Sequence, residues 1–256
     1  MLLAIDIGNS NIVFGIHDTQ EWVSHWRIQT DSSKTADEYG VIFRSLISNG
    51  NKGIDDISSI IICSVVPTLV NPFIEMLENY LLIAPLVFDA SAYSKIPVKV
   101  LNPNQIGTDL VANSVAAFSK YGGNTMVVDF GTALTFTTIG KDAEIKGVAI
   151  APGLKTAIHA LASNTAQLPY VHLDAPPSVL GDNTEHAIQS GVVLGYCGLV
   201  DSIIERTSSE LGEELQVVAT GGLSAKIASL TNKIHHIEPL LTLEGLKLIS
   251  KLLANS

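Results

Sequence analysis

The chain has 256 residues, a net charge of −10 and 46% hydrophobic residues. That size fits two domains of roughly 100 to 150 residues, each able to bury a core. The acidic balance leaves no positive field for a nucleic-acid backbone or an acidic lipid surface, which argues against both as partners. The longest apolar runs, such as Ile60 to Cys63 and Val192 to Cys197, fall short of the roughly 18 residues that span a bilayer. The N-terminus lacks a basic region and Asp6 interrupts its apolar stretch, so no secretory signal is expected. Cys63 and Cys197 sit among apolar residues, as reduced core thiols of a cytoplasmic protein do.

In chain order, Leu2 to Ile5 reads as a buried strand ending at Asp6. Strands over 12–16 and 21–28 follow, so the chain opens on a three-strand meander. The spacing of Tyr39, Ile42, Phe43, Leu46 and Ile47 predicts a helix over 36–48. A strand through 60–62, a helix over 67–82 and a short strand at 86–88 come next. After a polar, proline-bearing connection, 109–120 has helical spacing. The meander then recurs: a strand runs into Asp129, with further strands over 133–139 and 144–150. Helices over 154–162 and from Thr184 to about Leu211, a strand over 215–219 and a last helix over 243–253 complete the order. Strands first, then alternating helices and strands, imply mixed sheets covered by helices. The domain boundary is expected in Tyr121-Gly122-Gly123-Asn124, giving domains 1–122 and 123–256.

The duplication extends to detail. Asp6-Ile7-Gly8-Asn9-Ser10 and Asp129-Phe130-Gly131-Thr132-Ala133 share the pattern Asp-apolar-Gly-polar-small, about half the chain apart. Each places a carboxylate at a strand end, where it can serve a metal, and a glycine turn whose backbone N–H groups can approach phosphate. Two such turns facing one cleft point to a nucleoside triphosphate. One copy alone is an ordinary strand-ending turn. Thr220-Gly221-Gly222-Leu223 follows a strand, and its flat backbone suits an adenine or ribose. The seven histidines form no Cys/His cluster, and His235-His236 reads as a solvated loop pair rather than a zinc site.

Taken in this order, the motifs resemble those of the actin-like, hexokinase-like and heat-shock-protein-like ATPases, implying two duplicated actin-like (ribonuclease H-like) α/β domains. With Gly107-Thr108-Asp109, Ala151-Pro152-Gly153-Leu154 and Asn183-Thr184 through Ser190-Gly191, the chain is similar, from residue 3 to about 223, to the type III pantothenate kinase family. The resemblance implies phosphorylation of pantothenate by ATP, the first step of coenzyme A synthesis, by a homodimer using Mg2+ and a monovalent cation such as K+ or NH4+. It implies that Asp6, Ile7, Gly8, Asn9, Ser10, Asn11, Ile12 and Val13 hold the ATP phosphates, and that Asp6 helps hold Mg2+ through water. By the same resemblance Asp109 is the catalytic base, Asp129 the monovalent-cation ligand and Thr132 an ATP contact. Gly107, Thr108, Asp109 and Leu110 form the substrate floor, and Thr184 contacts pantothenate.

Phosphoryl transfer asks for alignment and charge neutralisation more than covalent work by the protein. A carboxylate with a reference pKa near 4 orients the alcohol and takes its proton late. Without the surrounding motifs, Asp109 would be an ordinary first-turn acid meeting a helix dipole. The chain has only Arg27, Arg44 and Arg206, none close in sequence to a nucleotide motif, so bound cations must neutralise the triphosphate. Two positions depart from the family pattern. Leu110 stands where an arginine is typical, removing a clamp on the substrate carboxylate, with Lys99 a nearby replacement. Val100 stands where many relatives carry tyrosine. Those departures keep open a kinase for another small hydroxylated substrate and a non-catalytic ATP-binding regulator. The apolar segment Gly191 to Val200 fits either a helix–helix interface between subunits or a core helix.

Overall fold

The computed structural model describes residues 1–48 and 56–254. The first meander comprises β1 (Leu2–Ile7), β2 (Asn11–His17) and β3 (Trp22–Gln29). Then come α1 (Ala36–Ser48), β4 (Ser59–Ser64), α2 (Pro67–Leu81), β5 (Leu86–Phe88), a 3-10 turn (Ala90–Lys95) and α3 (Thr108–Tyr121). The second half gives β6 (Thr125–Phe130), β7 (Ala133–Ile139), β8 (Ile145–Pro152), α4 (Leu154–Ser163), α5 (Thr184–Gln189) and α6 (Gly195–Leu211). It ends in β9 (Gln216–Thr220), α7 (Ser224–Ala228), β10 (His236–Ile237) and α8 (Leu241–Ala254).

Local chemistry sets several of these ends. Thr35 and Glu38 form a reciprocal capping box at the start of α1, with the Thr35 N–H donating to Glu38 Oε2 at 2.8 Å and the Glu38 N–H to Thr35 Oγ1 at 3.3 Å. Pro67 occupies the first turn of α2, where no N–H partner is needed.

The two sheets share one topology. Their orders are β3-β2-β1-β4-β5 and β8-β7-β6-β9-β10. In each, the meander pairs antiparallel, and the first strand pairs parallel with the strand that returns after a helix. The expected duplication is therefore present strand for strand. His236 lies in β10 and the His235 Nδ1 accepts the Val217 N–H at 3.0 Å. The pair is thus part of a sheet edge, not a solvated loop, because β9 has a free ladder that the chain returns to fill.

The chain divides into a unit of Met1–Ala116 with Leu241–Ser256 and a unit of Ala117–Leu240. In the first, Leu3, Ile5, Ile7, Ile12, Phe14 and Ile16 meet Phe43, Leu69, Phe73 and Met76 from α1 and α2. Phe14 lies 5.7 Å from Phe43 and 6.1 Å from Phe73, centroid to centroid. In the second, Met126, Val128, Phe130, Leu134 and Phe136 are buried with residues of α4, α6 and α7.

The division differs from one at 122/123 in two ways. It falls inside α3, ahead of Gly122 and Gly123, and α8 belongs with the first unit. Alpha-8 packs on β1 and β4, burying Leu243, Leu246 and Ile249. Trp22 Nε1 donates to Glu244 Oε1 at 2.6 Å, and Thr242 Oγ1 to Asn113 Oδ1 at 2.8 Å. The apolar periodicity of α8 states that one face is buried, and says nothing of which sheet buries it.

The run Thr184–Leu211 is long and apolar enough by composition to cross a bilayer. It nevertheless carries Asp201, Glu205 and Glu210 and packs Val193, Cys197, Val200 and Ile204 into the second core, as a core helix does.

A Cβ at Gly245 would strike the Ala112 backbone, with its carbonyl carbon at 2.5 Å. Gly245→Ala is expected to destabilise the chain by about 1–3 kcal/mol through overpacking, read as a lower urea midpoint. An unchanged midpoint would show that α8 does not pack where it is placed.

Candidate active site

In the first unit the site starts from register. Parallel pairing sets Asp6 on β1 beside Cys63 on β4 and Ile7 beside Ser64. The Cys63 thiol donates to Asp6 Oδ1 at 3.3 Å. Cys63 is wholly buried. Burial first, then the charges of Asp6 and Asp109, push its thiol well above the usual range, so it acts as a neutral donor.

The turn after β1 is held from both sides. The Gly8 N–H donates to the Asn11 carbonyl at 3.0 Å. Thr30, just past β3, donates its hydroxyl to the Gly8 carbonyl at 2.6 Å and its N–H to the Ser10 carbonyl at 3.1 Å. Asn9, Ser10 and Asn11 are exposed, while Ile7 and Ile12 are core residues. Ile12 and Val13 therefore serve this turn through their backbone and packing, and the polar tip is what a ligand can reach.

Gly107, Thr108, Asp109 and Leu110 form the entry to α3. Thr108 Oγ1 donates to the Ser64 carbonyl at 3.1 Å, fastening the helix start to the end of β4. Asp109 accepts the Leu110 N–H at 2.8 Å. Gly107 lies so close to the Asp109 carboxylate and Val65 that a Cβ would collide with the carboxylate oxygen. Burial raises the Asp109 pKa above the usual carboxylate value, against the lowering effect of the Leu110 N–H. Tyr93 packs on Phe88, which pairs in register with Cys63, and the charge of Asp109 reaches both Cys63 and Tyr93, so Asp6, Cys63, Tyr93 and Asp109 gather at one end of the sheet. Leu110 is half-buried and Lys99 is exposed.

In the second unit Asp129 holds the position that Asp6 holds in the first. It pairs in register with Thr220 on β9 and Thr135 on β7. Gly221 follows with φ +87°, a conformation that favours glycine. A Cβ there would come within 2.7 Å of both Asp129 Oδ1 and the Phe130 carbonyl. Thr132 is exposed, and its carbonyl accepts the Gly153 N–H at 2.9 Å and the Thr156 hydroxyl at 2.8 Å. Gly153 has no room for a side chain, since a Cβ would sit 2.6 Å from that same carbonyl. This explains Ala151-Pro152-Gly153-Leu154 structurally: the motif braces the second turn. Thr184 opens α5 at the surface behind the N-cap Asn183, whose side chain accepts the His186 N–H.

Sequence reasoning brought together Asp6, Gly107, Thr108 and Asp109 in one unit, and Asp129 and Thr132 in the other. It missed three residues. Cys63, read as a core thiol, hydrogen-bonds Asp6. Thr30 and Tyr93 lie outside every motif. Only the Cys63 contact had a signal, the parallel pairing implied by two buried strands.

A family model described as type III pantothenate kinase matches residues 2–206. The chain belongs to that family. It is 44% identical to the type III pantothenate kinase of Moorella thermoacetica, covering 97% of this chain and 98% of that one. It is 45% identical to the corresponding kinase of Roseiflexus, over 97% and 98%. Among solved structures it is similar to the activator of the 2-hydroxyisocaproyl-CoA dehydratase from Clostridium difficile with bound ADPNP, at TM-score 0.53 and 10% identity, over 99% and 96% of the two chains. It is also similar to the ethanolamine utilization protein EutJ from Carboxydothermus hydrogenoformans, at TM-score 0.54 and 14% identity, over 96% and 89%. These likenesses support a two-domain actin-like fold.

A buried carboxylate with a raised pKa stabilises the fold only while it is protonated. That contribution is complete below the unfolded value near 4 and is lost as the pH rises through the raised folded value. For this type III pantothenate kinase family member, Asp109→Asn keeps an acceptor for the Leu110 N–H and removes the charge. It is expected to melt higher than the parent at neutral pH and alike near pH 4, each kcal/mol regained being worth about 2–4 °C at this size. Calorimetry across pH checks it; a parent that melts higher at pH 7 would refute it.

Proposed function

We propose that the chain transfers the γ-phosphoryl group of ATP to the primary hydroxyl of pantothenate, giving 4′-phosphopantothenate. The observation that carries this reading is a half-buried carboxylate of raised pKa, Asp109, at a helix start fastened to the end of β4, the strand paired with the one that carries Asp6, in a chain that matches the family along nearly its whole length. In this reading Asp109 aligns the substrate hydroxyl and takes its proton as transfer proceeds. Gly107, Thr108 and Leu110 shape the floor under the substrate, and Thr184 contacts it. The turn from Asp6 to Val13 holds ATP phosphates, and Thr132 adds a further ATP contact.

The residues suit both cations. Among the described residues no group of three or more His, Cys, Asp or Glu side chains converges. Mg2+ is usually bound through one or two carboxylates, waters and substrate phosphates, so Asp6 with water fits that ion. Asp129 Oδ1 and the Phe130 carbonyl border the space that a Cβ at Gly221 would fill, a hard-oxygen cradle suited to K+ or NH4+ held by Asp129. Bound there, these ions would neutralise phosphate charge in a chain with three arginines. With both cysteines free and buried, the reading remains that of a cytoplasmic enzyme.

Leu110 favours two alternatives. Without the arginine typical of the family, the acceptor could be another small hydroxylated compound, or the chain could bind ATP without transfer. ADP release with pantothenate and Mg2+-ATP, with and without K+ or NH4+, separates the readings. Turnover is expected to require pantothenate and the monovalent ion, and to fall roughly 10²- to 10⁴-fold in Asp109→Asn. Because Asp109 must be ionised and its pKa is raised, the acid limb of kcat/KM should lie above the ordinary carboxylate range, with activity lost as the pH falls through it. ATP binding without turnover at millimolar pantothenate would reject the kinase reading.

We also propose a homodimer. The support is a stripe on the long helical run: nothing lies within 4 Å of a Cβ built on Gly191, Gly195 or Gly198. Nearby, Tyr196 donates to the Pro152 carbonyl at the end of β8, and β8 leaves Ile150 70% exposed. Sedimentation should give a dimer for the parent and monomers for Gly195→Arg; a parent that sediments as a monomer at micromolar concentration would dismiss the interface.

A further inference from the structure

We infer that Tyr93 is a substrate-contacting residue, whose hydroxyl donates a hydrogen bond to an oxygen of the acceptor bound beside Asp109. The inference rests on the pantothenate kinase reading and adds to it a residue that lies outside every sequence motif of the chain.

Tyr93 is placed firmly. It lies on the 3-10 turn after β5, whose first residues are fixed by Asp89, which accepts the Ser91 N–H at 2.9 Å and the Ser91 hydroxyl at 2.6 Å. Its ring packs 5.4 Å from that of Phe88, and the residue is only 6% exposed. The hydroxyl, by contrast, has no hydrogen-bond partner among the described residues. It is also absent from the buried side-chain atoms that lack one, which are Thr135 Oγ1 and Thr137 Oγ1. The ring is therefore buried while the hydroxyl oxygen is not sealed from solvent.

The surroundings say which ligand. After burial itself, the charge of Asp109 is the main influence that pushes the Tyr93 hydroxyl up to about 12, followed by Cys63 and Asp89. The phenol accordingly stays neutral and protonated at physiological pH, a donor without charge. Phe88, on which the Tyr93 ring packs, pairs in register with Cys63, and the next residue of β4, Ser64, holds the start of α3 through Thr108. An aromatic donor fixed over these strand ends, with no protein acceptor, is complementary to an oxygen-rich acceptor substrate. Leaving such a donor unpaired in a filled pocket costs free energy, so it also selects against acceptors lacking an oxygen there. With Leu110 apolar and Val100 without a side-chain donor, Tyr93 supplies a polar contact that the family motif does not.

Tyr93→Phe removes the hydroxyl and keeps the ring against Phe88. Pantothenate kinetics and calorimetric binding are compared for parent and variant, with ATP binding and melting temperature alongside. The expected result is a rise in pantothenate KM and Kd of about 3- to 10-fold, the size of one neutral hydrogen bond, with ATP affinity and melting temperature unchanged. Pantothenate KM and Kd that stay as in an active parent would overturn the assignment of Tyr93 alone. So would a lower melting temperature with no change in those constants, the signature of a purely structural tyrosine. A parent that neither binds nor phosphorylates pantothenate would overturn the kinase reading and the inference together.

Discussion

A carboxylate at the end of a strand buried on both faces needs a hydrogen-bond donor or a cation beside it. Parallel pairing of β1 with β4 meets that requirement by setting the Cys63 thiol against Asp6. The same register brings Ser64 to the end of β4, where its carbonyl receives the Thr108 hydroxyl. That contact fixes the first turn of α3, and so the carboxylate of Asp109 on the following residue. One strand register thus positions the residue proposed to hold Mg2+ and the residue proposed to take the substrate proton. A one-residue slip would turn every side chain of β4 to the opposite face and separate the two.

The second unit repeats the frame and changes the chemistry. Thr220 stands beside Asp129 where Cys63 stands beside Asp6, and Gly221 replaces Ser64. The turn is also shorter, because Phe130 pairs with Leu134 whereas Ile7 pairs with Ile12. A shorter turn with a positive-φ glycine packed against it brings carbonyl and carboxylate oxygens close together. The first turn instead leaves Asn9, Ser10 and Asn11 exposed. The difference suits a bare monovalent ion in one copy and phosphate oxygens in the other. Duplication supplied two strand-end carboxylates, and the residue after each one's parallel neighbour, Ser64 or Gly221, distinguishes the tasks proposed for them.

Much of this was legible in the residues. Period-2 and buried runs located β1 to β9 closely enough to reveal both meanders, and the paired Asp-x-Gly turns marked their ends. Legibility failed where a partner is chosen by tertiary packing. Apolar spacing in α8 identified a buried face, but its neighbours Ala112 and Asn113 on α3 and Trp22 on β3 are remote in sequence, so its unit could not be read. Cys63 read as apolar because its thiol is neutral and its neighbours are isoleucines. Tyr93 lies in a short 3-10 turn with no periodicity, and the weight of its hydroxyl comes from Asp109, sixteen positions later. Thr30 follows a strand that looked complete without it.

The half-buried position of Asp109 sets the terms of the proposed chemistry. Burial lifts its pKa toward neutrality, which strengthens it as a proton acceptor while raising the free energy of the folded chain at neutral pH. The backbone N–H of Leu110 and the positive end of α3 limit that rise. An arginine at 110 would limit it further, by adding a positive charge beside the carboxylate. Leu110 therefore has a second consequence besides the missing clamp on the substrate: it leaves the base less stabilised as an anion. On this account the same substitution weakens substrate capture and strengthens the base, so KM and kcat both rise and their effects on kcat/KM oppose each other.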